Sequence, residues 1–147
     1  MPVTGGTTML KQVTHVGLGT LDQDEALEFW TDKVGFEVRN DVTIAEMGGM
    51  RWLTVGPPNQ PDLEIILMPP GGPGTPPGVV EKARDVLAHG VLPGLIFQVD
   101  DARATYDELK SRGVEMVQEP IEQFYGTDAA FRDPTGNHVR FTQPAAQ

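Results

Sequence analysis

Two stretches of this sequence repeat one grammar, displaced by 79 residues. In the first, residues 13–19 read as a short strand carrying Val13, His15, Val16 and Leu18. Asp22 stands where a helix N-cap belongs, with Glu25 three residues on, because a short acceptor side chain satisfies the free N–H groups of a first turn. Ala26, Leu27, Phe29, Trp30 and Val34 give an apolar face at helical spacing, and Gly35 supplies the stop. In the second stretch, residues 95–99 form an apolar strand. Asp100 or Asp101 caps a helix whose buried face carries Ala102, Tyr106 and Leu109, and Gly113 ends it. The shift sets His15 over Gly94, Asp22 over Asp101 and Trp30 over Leu109, while Gly35 falls within one position of Gly113.

Three strand patterns follow each helix: 36–42, 51–55 and 63–68 in the first copy, and 114–118, 128–132 and 139–142 in the second. Gly48-Gly49 and the run Asp133-Pro134-Thr135-Gly136-Asn137 are turn-formers between them. Between the copies, residues 69–78 are all Pro or Gly except Thr75, which suits neither strand nor helix interior. Residues 81–89 read as a short helix after this linker. The expected fold is α+β: two βαβββ modules in tandem, about 1–68 and 90–147, within one domain spanning 1–147. They are expected to form a cupped mixed β-sheet with the helices outside and a site on the concave side.

Composition excludes several functions. Asp plus Glu number 21 against 11 Lys plus Arg, a formal net charge of −10. Such a surface repels phosphate backbones and anionic membranes, so no nucleic-acid or membrane partner is expected. No apolar run is long enough to cross a bilayer. Residues 1–9 lack the charged and apolar regions of a signal peptide, and a cytoplasmic location is expected. With no cysteine, disulfides, thiolate catalysis and zinc–thiolate sites are excluded. Gly71-Gly72-Pro73-Gly74 lacks the Lys and Ser/Thr of a phosphate loop. The single serine, Ser111, falls at a helix end, away from any nucleophile elbow.

In its order and spacing the chain resembles the vicinal-oxygen-chelate superfamily, the fold of glyoxalases, bleomycin-resistance proteins and extradiol dioxygenases. The resemblance runs from Val13 to Gln143. It is carried by His15-Val16-Gly17-Leu18, by Phe29-Trp30-Thr31-Asp32-Lys33-Val34-Gly35-Phe36, by Leu63-Glu64-Ile65-Ile66-Leu67, by Phe97-Gln98-Val99-Asp100-Asp101, and above all by Phe131-Arg132-Asp133-Pro134-Thr135-Gly136-Asn137.

The resemblance implies that metal-binding members draw one ligand from the first and one from the last strand of each module. Here that pattern gives His15 and Glu64 in the first module, suitable donors for borderline divalent metals such as Zn, Ni or Fe. In the second it gives Gly94, which has no side chain, and Arg140, whose cation would repel a metal. His89 and His138 are the remaining imidazoles. Restoring the pattern by Gly94→His with Arg140→Glu is expected to create a four-ligand site. Arg140 is expected in the cup, pairing with Glu64 or binding a ligand oxygen. Gln98 shares the face of Gly94 by the period of two. Arg51 and Trp52 occupy opposite faces of one strand. Phe124 and Tyr125 fall in a loop that closes over the pocket in the resembling proteins.

The expected function is binding of a small organic molecule in the bleomycin-resistance manner, as a homodimer and with no metal required. The ligand-binding residues are then Arg51, Trp52, Gln98, Phe124, Tyr125 and Arg140. Whether the chain is an enzyme stays open. The alternative is a metal-dependent glyoxalase-like lyase or isomerase using His15 and Glu64. An extradiol dioxygenase, which needs two histidines and a carboxylate, stands behind both.

Overall fold

The computed structural model describes residues 9–146, so the expectation for residues 1–8, at the start of the first module, lies outside the described residues. The first module runs β1 (His15–Gly19), α1 (Gln23–Glu28), β2 (Glu37–Ile44), β3 (Met50–Gly56) and β4 (Glu64–Met68). After α2 (Pro77–Ala88), the second runs β5 (Ile96–Gln98), α3 (Ala102–Ser111), β6 (Glu115–Gln123), β7 (Gly126–Arg132) and β8 (His138–Pro144). Each module makes its own four-stranded mixed sheet, ordered β1-β4-β3-β2 and β5-β8-β7-β6, with the first and last strands parallel. The βαβββ reading therefore holds, as two separate open sheets.

The helices start as the sequence requires. Asp22 accepts a hydrogen bond from the Glu25 N–H, and Asp101 one from the Ala104 N–H, each at 3.0 Å. They end differently. In α3, the Val114 N–H donates to the Leu109 carbonyl and the Gly113 N–H to the Lys110 carbonyl, with Gly113 at φ +84°. This is the six-to-one, five-to-two closure that favours glycine. The first helix instead passes into a π-helical turn, Phe29–Lys33. That wider turn holds one extra residue, which is why Gly35 and Gly113 miss alignment by one. The rotation also lets adjacent Phe29 and Trp30 both be buried.

The correspondence continues past the helices. A β-bulge lies between Val38 and Asn40 in β2 and between Met116 and Gln118 in β6, at equivalent positions of the repeat. The linker is shorter than expected. Its last two residues, Pro77 and Gly78, open α2, where a proline at the first helical position loses no hydrogen bond.

Side chains alternate along each strand. On one face of the sheets Leu18, Leu53, Val55, Ile65, Leu67, Phe131, Val139 and Phe141 are buried with Phe29, Trp30 and Leu109 in a single core. Trp30 lies 5.3 Å from Phe36 and 6.3 Å from Phe97, and Phe36 lies 5.4 Å from Phe97, so the core is shared between modules. The opposite, hollow face of each sheet turns away from it. The run at 133–137 staples the modules together. Asp133 accepts from the Gly136 and Asn137 N–H groups at 3.1 and 2.8 Å and from Asn137 Nδ2 at 3.0 Å. Asn137 Nδ2 also donates to the Gly19 carbonyl, and Thr135 Oγ1 accepts from the Leu21 N–H. Burial pushes the Asp133 pKa up despite these donors. Replacing Asp133 by Ala leaves several buried donors unsatisfied, and urea denaturation should show a loss of about 1–3 kcal/mol.

Candidate functional site

The hollow face of the first sheet carries His15 from β1, Glu64 from β4, Trp52 and Thr54 from β3, and Asn40 from β2. His15 and Glu64 are level across the parallel ladder. Glu64 Oε1 accepts from Thr54 Oγ1 at 2.6 Å and Asn40 Nδ2 at 2.8 Å, and Glu64 Oε2 lies 3.2 Å from His15 Nε2. The Thr54 hydroxyl, with Asn40 and His15, holds the carboxyl below the usual carboxylate range, against a smaller opposing effect of burial. The Trp52 ring tilts against the His15 ring, with centroids 5.8 Å apart.

The second sheet carries a different cluster. Asp128 on β7 is almost fully buried, at 2% exposure, although it sits on the hollow face. Arg140 Nη2 forms a short charge-assisted hydrogen bond to it. Asp128 also accepts from Thr142 Oγ1 and the Tyr125 hydroxyl, both at 3.2 Å, and lies 3.5 Å from Gln118 Nε2. Burial alone would raise the Asp128 pKa, but the hydrogen bond and charge of Arg140, with Gln118 and Thr142, take it below its ordinary value. The same pairing keeps the Arg140 guanidinium firmly cationic.

The expected site residues therefore divide. His15, Glu64 and Trp52 meet on the first hollow face, and Arg140 and Tyr125 on the second. Gln98 shares the second face, on β5 level with Thr142. Arg51 faces the other way, donating to both carboxylate oxygens of Asp41 at 2.9 and 3.0 Å and to Asp24 at 2.6 Å. It ties the start of α1 to β2. Phe124 is the 95% exposed tip of the β6–β7 turn, packed edge-on against Tyr125.

Two expectations need correction. Arg140 does not pair with Glu64: it pairs with Asp128, and Glu64 has donors of its own. The ladder sets Arg140 level with Ile96, so His138, two residues back, is the residue beside Gly94. A Cβ at Gly94 would run into the His138 carbonyl oxygen. The Gly94→His replacement therefore requires the backbone to move. The donor set for a metal within one chain is His15 and Glu64, and catalytic sites usually have three protein ligands. Among the described residues no three His, Asp or Glu side chains come together. Two protein donors fall short of that number.

Asp128, Asn40, Thr54, Gln118 and Thr142 were not legible as site residues. Period two from Arg140 reaches Thr142 within its own strand, but nothing local shows that Asp128 lies beside them.

Two βαβββ modules, each with its own four-stranded mixed sheet and a polar cluster on the face turned from the core, define the class of fold. Residues 12–141 match the model of the Glyoxalase/Bleomycin resistance protein/Dioxygenase superfamily, and the chain belongs to that family. It is similar to YurT of Bacillus subtilis (strain 168), 37% identical over 123 residues that cover 83% of this chain and 91% of YurT. Its structure resembles that of UcmS2, with a TM-score of 0.84 and 43% identity over 91% of this chain and 98% of that one. It also resembles TnmS3, an antibiotic-binding protein from Streptomyces sp. CB03234, with a TM-score of 0.73 and 29% identity over 95% and 100% of the two chains.

The depressed pKa of Glu64 has a pH consequence. A carboxylate held low in the folded state contributes stability above its unfolded value near 4.5, and that contribution is lost as pH falls through the folded value. Thermal melts from about pH 6 to pH 3 should show a shallower acid loss for Glu64→Gln than for wild type. Parallel curves would mean that the carboxylate is not held.

Proposed function

We propose that this chain is a small-molecule-binding protein of the glyoxalase/bleomycin-resistance type that requires no protein-bound metal. The observation that carries this reading is the pair of organised polar clusters on the hollow sheet faces. Trp52 and Tyr125 supply aromatic surface, and the clusters supply fixed donors and acceptors, the mixture expected of organic-ligand sites. The resemblance to TnmS3 supports an antibiotic-like organic compound as the ligand.

The working form in this reading is a homodimer. In one chain the hollow faces lie open, and Val42, Ile96 and Ile121 are 49, 65 and 46% exposed. Apolar side chains on an open sheet face favour coverage by a second copy. No helix among the described residues is long and apolar enough to cross a membrane.

The second reading is a metal-dependent lyase or isomerase, favoured by the 3.2 Å approach of His15 to Glu64 on the same hollow face. Elemental analysis of protein purified without chelators, followed by Ni²⁺, Zn²⁺ and Fe²⁺ titration, separates the two. We expect sub-stoichiometric metal and no saturable tight site; one tightly bound ion per chain would favour the enzyme. Light scattering at micromolar concentration should give twice the 16.0 kDa chain mass. A monomer mass would remove the dimer.

A further inference from the structure

We infer that the hollow beside Arg140 is an anion-recognition subsite, taking the carboxylate or phenolate oxygen of an otherwise apolar organic ligand. This rests on the small-molecule-binding reading and adds the charge class of the ligand.

Arg140 and His138 are the polar side chains lining a hollow of about 410 Å³ whose other walls include Leu92, Pro93, Leu95 and Ile96. Gly94 lies in the same wall. A guanidinium has five N–H donors. Nη2 spends its two on Asp128 and the Tyr125 hydroxyl. Nε and Nη1 have no hydrogen-bond partner among the described residues, which leaves three donors. The Arg140 side chain is 38% exposed, whereas that of Asp128 is 3% exposed. The cation thus stands between a buried anchor and an open, largely apolar hollow.

The anchor is costly. In the first module, the equivalent strand position opposite β2 holds Trp52, which carries no charge. The second module instead buries a carboxylate, and a buried charge is tolerated only with full hydrogen bonding. Asp128 meets four side-chain donors there: Arg140, Gln118, Tyr125 and Thr142. They fix one guanidinium orientation and leave its remaining donors unspent. Glu64, the other carboxylate on a hollow face, is satisfied by Thr54, Asn40 and His15 and makes no claim on Arg140. A preorganised cation in an apolar hollow favours an oxyanion through charge-assisted hydrogen bonds.

The test uses two fluorescent probes of similar apolar bulk: anionic 8-anilinonaphthalene-1-sulfonate and neutral N-phenyl-1-naphthylamine. Each is titrated into the full-length wild type, Arg140→Gln, and the double variant Asp128→Asn/Arg140→Gln. The double variant removes both charges, so that no buried carboxylate is orphaned. We expect the anionic probe to bind wild type at least tenfold tighter than the neutral one. Both variants should lose at least tenfold, about 1.4 kcal/mol, for the anionic probe and change less than twofold for the neutral probe. Equal loss of both probes, or an unchanged anionic probe in the double variant, overturns the subsite while small-molecule binding stands. If neither probe binds wild type, both the subsite and the binding reading fall.

Discussion

Trp30 lies where the two modules meet. Its indole stacks on Phe36 from its own module and approaches Phe97 and Phe131 from the other, at 6.3 and 6.0 Å. At 1% exposure it contributes a large buried apolar area, and aromatic contacts add to that gain. Everything else about the architecture depends on this shared core. Because both sheets commit the same face to it, both must turn their hollow faces away. A single chain therefore presents two open polar clusters, each on its own sheet. Among the described residues no hydrogen bond or ion pair links the Glu64 cluster to the Asp128 cluster.

The two clusters occupy related places in the repeat but have diverged in chemistry. The first gathers an imidazole and a carboxylate. The second holds a buried carboxylate that orients an arginine. Asn40 and Gln118 show the relation most clearly. Each is the first residue after its bulge, paired with Thr54 and Ala130 respectively, and each turns its amide toward the carboxylate of its own sheet. The bulge aims the amide, and the residue at the centre of each hollow decides what it meets. Repeat geometry is shared between the modules while the side chains on it differ.

Much of the fold was legible because its signals are local. Caps at Asp22 and Asp101, stops at Gly35 and Gly113, and the period-two strands all act within a few residues. The one-position mismatch between the two glycines was visible in the sequence, but its cause, a π turn that buries Phe29 beside Trp30, was not. Helical periodicity does not say when a helix will widen. The start of α2 at Pro77 was missed for a related reason: proline ends helices in the interior but is welcome in the first turn.

The sequence by itself determined that two βαβββ modules exist, where each begins, and that His15 and Glu64 share a hollow face. It also showed that Gly94 has no side chain to offer, but its match of Arg140 to Glu64 did not hold: the ladders make His138 the counterpart of Glu64 and Ile66 the counterpart of Arg140. Only the tertiary structure decided what Arg140 does. Its partner, Asp128, comes from a neighbouring strand, and side-chain geometry is set by which strands pair and in what register. A shift of one residue in that register would turn Asp128 to the core face. The local sequence does not record the register, which is a pairing between strands; Phe131, on the core face of that ladder, packs against Phe29 and Trp30 of the first module.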